Sequence, residues 1–159
     1  MNFGNTSDQE LMLQSVRSLL DDVCSMDYAT KCDRNHTPPR EAFNAMAQNG
    51  WLGLIAPESF GGSGGSPTDL ALVLEETGHH FEELGLWLFR SFTYGCYAIL
   101  QHGTDEQKQR IVPGAATGKL SFAFALSEPD SGSDAAALRT RAVLDGDYFI
   151  VNGRKQWTS

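Results

Sequence analysis

The stretch Phe124-Ala-Leu-Ser-Glu-Pro-Asp-Ser-Gly-Ser-Asp134 separates two kinds of sequence pattern, and its reading decides the fold. The run from Leu120 to Leu126 has the length and apolar character of a short buried strand, and Glu128-Pro129 ends it. Ser131-Gly132-Ser133-Asp134 then brings hydroxyls, backbone N–H groups and a glycine together in a polar turn. Such a turn can hold a phosphate or a planar, heteroatom-rich ligand without formal positive charge. Taken alone, so short a motif is more often an ordinary connecting turn.

Upstream the pattern is helical. Ser7 with Glu10 three residues later reads as a capping box, and Leu11, Val16, Leu19, Leu20 and Val23 follow at helical spacing. Thr37-Pro38-Pro39 opens a second helix with Phe43, Met46 and Ala47 facing inward and Gly50 as its stop. Ser66-Pro67 with Asp69 opens a third, carrying Leu70, Val73 and Leu74 towards Gly78. A fourth runs from about Leu84 to His102, and Thr104 with Gln107 caps a fifth that should end before Pro113. Five helices with short connections predict a bundle.

Downstream the period becomes two. Leu138 to Leu144 alternates, and Asp145-Gly146 leads into Tyr148-Phe149-Ile150-Val151 as a hairpin. Asn152-Gly153 turns the chain again before Lys155-Gln156-Trp157, so that Ser159 falls inside a strand. Charge shifts at the same place: residues 1–118 hold 7 basic and 15 acidic side chains, whereas 119–159 hold 5 of each. The expected architecture is α+β. An all-α helical domain over 1–118 precedes the first strands of an incomplete β-barrel-like domain over 119–159. A sheet broken off there leaves open edges, which reads as a fragment or one half of a split protein.

The composition is that of a folded chain, with 41% hydrophobic and 20% charged residues among 159. A net charge of −8 repels phosphate backbones, which argues against nucleic acid and anionic membrane surfaces as partners. The richest apolar stretch, Leu84 to Phe89, falls far short of the ~20 residues of a membrane span. Cys24, Cys32 and Cys96 form no CxxC pair, so neither a disulfide framework nor a zinc site is expected. Met1-Asn-Phe-Gly-Asn-Thr-Ser has neither the basic nor the apolar part of a secretory signal, and a cytoplasmic location is the expectation.

Other segments offer weaker chemistry. In Asn152-Gly-Arg-Lys-Gln-Trp-Thr-Ser159 a Trp beside hydroxyls could stack on an aromatic cofactor, or simply fill a core. Ala56-Pro-Glu-Ser-Phe-Gly-Gly-Ser-Gly-Gly-Ser66 could approach a phosphate, but it lacks the Gly-Lys-Ser/Thr of a P-loop and reads as a connector. His79-His80 has no metal-ligand context, and Glu75-Glu76 and Glu82-Glu83 read as solvated helix faces. No metal ligand and no catalytic base is assigned.

In this order and spacing, however, the segments resemble the acyl-CoA dehydrogenase family. Its motif Thr/Ser-Glu-Pro-Gly-Ala-Gly-Ser-Asp is matched at Ser127-Glu-Pro-Asp-Ser-Gly-Ser-Asp134, and Asn-Gly-x-Lys-x-Trp-Ile-Thr at Asn152 to Ser159. Pro57 to Gly64, Asp8-Gln-Glu-Leu11 and Gly103-Thr-Asp-Glu-Gln-Lys108 extend the likeness over nearly the whole chain. Asp130 and Ser131 depart from the Gly and Ala of the motif, adding charge and bulk to the turn.

The resemblance implies a helical domain, a middle β domain and a C-terminal helical bundle, with FAD between the last two. It implies flavin contacts at Phe124, Leu126, Ser127, Ser133, Trp157 and Ser159, with Ser133 also where the acyl-CoA substrate approaches. The implied reaction is α,β-dehydrogenation of an acyl-CoA thioester in fatty acid metabolism. A carboxylate takes the α-proton and FAD the hydride, and electrons pass on to electron-transfer flavoprotein or a similar acceptor. The family's catalytic Glu belongs to the C-terminal bundle and has no match here, so this chain alone is expected to be inactive. Homo- or hetero-oligomers are implied. The alternatives are a non-catalytic subunit or half of a split heteromeric flavoenzyme, or a same-fold acyl-CoA oxidase, enoyl-CoA reductase or flavin monooxygenase.

Overall fold

A computed structural model describes residues 4–158 and shows a helical region followed by a two-stranded antiparallel sheet. Ser159, among the expected flavin contacts, lies outside the described residues. The chain divides into two compact units, 1–122 and 123–159.

In the first unit, α1 (Ser7–Val23) begins one residue earlier than its sequence suggests. Thr6, not Ser7, is the cap: its hydroxyl accepts from the Gln9 amide, and the Gln9 side chain accepts from the Thr6 amide. Helix α2 (Met26–Arg34) was not expected; it buries only Ala29 and Cys32, too thin an apolar face for periodicity to register. Its signal was Ser25, whose hydroxyl accepts from the Tyr28 amide. Helix α3 (Arg40–Gln48) follows Pro38-Pro39 and turns Ala42, Phe43 and Met46 into the core.

Helix α4 (Pro67–His80) carries the expected Ser66–Asp69 capping box, and its carboxylate also accepts from Gln9 Nε2 at 2.9 Å. These bonds, from Gln9 first and Ser66 next, hold the Asp69 carboxyl below its usual range. The two capping boxes are thereby joined. Further along the same pair of helices, Arg17 Nε meets Glu76 at 2.7 Å and His80 Nε2 meets Asp21 at 3.1 Å. Residue offsets of 60, 59 and 59 place α1 and α4 parallel. Glu76, expected on a solvated face, has a side chain only 10% exposed.

The long fourth helix is α5 (Glu82–Arg90), a wider π-helical stretch (Ser91–Tyr97) and α6 (Ala98–His102). Ser91 and Thr93 hydroxyls donate to the Trp87 and Phe89 carbonyls, side-chain bonds of the kind that accompany such distortion. Helix α7 (Asp105–Ala116) passes through Pro113 instead of stopping before it. Pro113, which has no amide to donate to the preceding turn, stands in the closing turn, and its carbonyl accepts both the amide and the hydroxyl of Thr117.

One core joins Val16 and Leu20 of α1, Phe43 and Met46 of α3, Leu52, Val73 of α4, Leu84 and Leu88 of α5, and Phe92. A second joins Ala56, Cys96, Val112, Ala115 and Ala116. Burial pushes the Cys24 and Cys96 thiols up to about 11, so they rest there as neutral apolar groups.

The glycine-dense loop folds onto itself. Ser63, Gly64 and Gly65 amides donate to the Gly53, Ala56 and Leu54 carbonyls, and Gly62 lies so close to the Ala56 and Gly53 carbonyls that a Cβ would collide with them. Its N–H groups are consumed internally, which removes the phosphate reading and leaves the connector.

In the second unit, β1 (Arg141–Asp145) pairs with β2 (Tyr148–Asn152), Asp145 opposite Tyr148. Gly146, at φ +59°, takes the first position of the two-residue turn. Leu120 to Leu126 forms no strand, contrary to expectation, and neither does Lys155-Gln156-Trp157; the bonds between them are not a ladder, Lys155 Nζ reaching the Leu126 carbonyl and Gln156 N–H the Ser127 carbonyl.

Candidate functional site

The Ser127–Asp134 motif forms a tight turn built around Glu128. Glu128 and Ser131 exchange both backbone hydrogen bonds, at 2.8 and 3.1 Å, and the Ser131 hydroxyl donates to the Asp134 carbonyl at 2.6 Å. The Glu128 side chain is only 6% exposed. It accepts from the Arg139 amide at 2.7 Å, the Thr140 amide at 2.9 Å and Lys155 Nζ at 3.0 Å. Its carboxyl is held down to about 2, by the Thr140 hydroxyl at its edge, by the Arg139 and Thr140 amides and by Lys155, against the cost of burial. That hydroxyl is shut off from solvent with no hydrogen bond of good geometry, so the two amides are the firmer part of the effect.

The two departures from the motif each find a partner nearby in the chain. Asp130 meets Arg139 Nη1 at 3.2 Å, both exposed, and Ser131 supplies the bond to Asp134. Added charge is answered by a cation, and added bulk by a hydrogen bond.

Around this frame the sequence-expected residues divide. Phe124 and Leu126 are 43% and 38% exposed, Ser127 is half-buried, and Trp157 is 81% exposed. Lys155 Nζ on the Leu126 carbonyl at 2.9 Å, with Gln156 N–H on that of Ser127 at 2.9 Å, brings the Trp157 segment beside Leu126 and Ser127. Trp157 itself has φ +59°, the left-handed region that bulky residues avoid. Ser133 is exposed, and a Cβ on the neighbouring Gly132 would meet no atom within 4 Å. The sequence reading missed Glu128 and Lys155. Their signals were a carboxylate fixed before Pro129 and a lysine two residues before Trp157. Among the described residues no group of His, Cys, Asp and Glu is arranged to hold a metal ion, and no helix is long and apolar enough to cross a membrane.

Comparison with known proteins decides what this frame belongs to. The sequence profile of the acyl-CoA dehydrogenase N-terminal domain matches residues 6–119, and that of the middle domain matches 123–159. The chain belongs to the acyl-CoA dehydrogenase family. It is 34% identical to the probable acyl-CoA dehydrogenase YngJ of Bacillus subtilis, over 99% of this chain and 41% of that protein. It is also 34% identical to an acryloyl-CoA reductase (NADH) of Anaerotignum propionicum, over 100% of this chain and 40% of the relative. The crystal structure of an acyl-CoA dehydrogenase from Geobacillus kaustophilus superposes with a TM-score of 0.86 at 29% identity, covering 99% of this chain and 41% of that one. The chain therefore spans about two fifths of the length of these family members. It supplies an acyl-CoA dehydrogenase helical domain and the opening of the β domain.

Proposed function

We propose that this chain is the N-terminal portion of an FAD-dependent acyl-CoA dehydrogenase, with the domain boundary near Gly118 and the cofactor meeting the Ser127–Asp134 turn. The observation that supports it best is the turn itself, a motif whose backbone is closed around Glu128 while its flanking groups stay open. Phe124, Leu126 and Trp157 offer apolar surface, Ser127 offers a polar edge between them, and Gly132-Ser133 offers a turn open to an approaching phosphate. These are the group types a flavin dinucleotide requires.

In this reading Ser127 hydrogen-bonds the ring edge and Trp157 packs beside it, with Ser159 following. Ser133 meets the phosphate and the acyl-CoA substrate. When bound, FAD supplies the acceptor for the β-hydride. The base that takes the α-proton comes from outside this chain, and so the chain alone is inactive. The substrate is an acyl-CoA thioester, the electron acceptor an electron-transfer flavoprotein or similar carrier, and the setting a cytoplasmic homo- or hetero-oligomer in fatty acid metabolism.

The full-length protein, purified and scanned in the visible range, should show bound flavin that bleaches when an acyl-CoA is added without oxygen. A colourless protein that takes up no FAD would overturn the proposal. The likeness to acryloyl-CoA reductase favours one second reading, the same site run towards reduction of an enoyl-CoA. Oxidation of reduced flavin by an enoyl-CoA, with no bleaching by the saturated thioester, would select it.

A further inference from the structure

We propose that Glu128 and Lys155 form a positioning clasp that sets the spacing of Ser127 and Trp157 before any ligand arrives. This rests on the flavin reading above and assigns to the pair a role distinct from contact with the cofactor.

Lys155 Nζ reaches two acceptors, the Leu126 carbonyl at 2.9 Å and Glu128 Oε1 at 3.0 Å, and so bridges across Ser127. Gln156 N–H takes the Ser127 carbonyl between them at 2.9 Å. Residues 126–128 are thus held by two consecutive residues, 155 and 156, directly before Trp157. The lysine is only 25% exposed and the carboxylate 6%, so water competes weakly for their bond. Arg139, a nearby cation, turns its guanidinium to Asp130 instead, at 3.2 Å.

Trp157 strengthens the case. Its left-handed backbone is strained for a bulky side chain, and such a conformation persists where its surroundings over-determine it. Its immediate anchors are the bonds of Lys155 and Gln156. The clasp also has separable halves. The bonds from the Arg139 and Thr140 amides to Glu128 do not pass through Lys155. Removing Lys155 therefore releases the Trp157 segment and leaves the 128–140 frame closed, whereas removing the Glu128 charge loosens both.

The test uses the full-length protein and its Lys155→Met and Lys155→Arg variants. With Lys155→Met, exchange of the Gln156 amide should rise about tenfold while Arg139 and Thr140 keep their protection. FAD binding, followed by quenching of flavin fluorescence, should weaken about tenfold, and the visible spectrum of bound flavin should shift. Lys155→Arg, which keeps the charge, should recover binding to within about threefold. Unchanged Gln156 exchange in Lys155→Met would overturn the clasp, and so would equal loss of FAD binding in both variants. Should Lys155→Met fail to fold, Lys155→Ala with added ethylammonium replaces it, and no recovery of FAD binding there would also overturn the clasp. A wild-type protein that binds no FAD would instead overturn the flavin reading, and Gln156 exchange would still judge the clasp.

Discussion

The helical unit and the segment after it are ordered by different forces. In the first, Val16, Leu20, Met46, Leu52, Val73, Leu84, Leu88 and Phe92 are fully buried against one another. Area removed from water, without direction, holds the helices together. In the second, every residue of β1 and β2 is exposed, and Val143, Leu144, Tyr148, Phe149, Ile150 and Val151 are 49–78% open to solvent. A two-stranded hairpin in that state has little apolar burial to hold it. Its order comes from directed bonds, the β1–β2 ladder and those that Glu128, Lys155 and Gln156 make around the turn. One region has many interchangeable supports, while the other depends on a few directed bonds.

That contrast can be broken most forcefully at Leu20. Leu20→Ala should cost about 2–5 kcal/mol in chemical denaturation followed by helical circular dichroism, because a fully buried leucine leaves a cavity. A cost below about 1 kcal/mol would contradict a close-packed core. Gly62→Ala comes next, at about 1–3 kcal/mol, since its new methyl meets the carbonyls of Ala56 and Gly53 and the loop must move. Ser66→Ala should cost about 1 kcal/mol in the same assay by opening the α4 capping box, and Ser66→Gly less. Arg17→Met should cost only about 0.2–1 kcal/mol, and added salt should shrink the difference, because Arg17 is half exposed.

The smallest effect on the helices, and the sharpest on the turn, should come from acid. Glu128 is depressed to about 2 from an ordinary value near 4.5. Its contribution is therefore complete above about pH 4.5 and is lost as pH falls towards about 2. Amide exchange at Arg139 and Thr140 should accelerate across that window. Glu128→Gln should show the faster exchange already at neutral pH. Parallel loss of Val16 and Leu20 protection through the same titration would mean that the two regions are not independently held.

Legibility in the sequence followed the same division. Helices with broad apolar faces or capping boxes, such as those opening at Ser66 and Thr104, could be read because their signals are local. Helix α2 could not, since two small buried residues make no periodic stripe. Pro113 misled because a proline removes one amide donor without by itself ending the helix, and the turn beyond it closes on the Pro113 carbonyl. Leu120 to Leu126 misled because a run of apolar residues carries no information about whether another strand is there to pair with it. The motif residues around Ser127 were legible as a pattern. Glu128 and Lys155 were not, since their meaning lies in a contact across 27 residues that no local spacing encodes.

The rungs between α1 and α4 have a further consequence, for alignment. Gln9–Asp69, Arg17–Glu76 and Asp21–His80 share nearly one offset over three turns of helix. Sliding α1 by a single residue would shift it about 1.5 Å and rotate it about 100°, turning all three donors from their acceptors together. Apolar surfaces tolerate such slippage, for one leucine greets another almost anywhere. Three polar teeth cut at matching intervals do not, and they make the helix pair a key that turns in one lock.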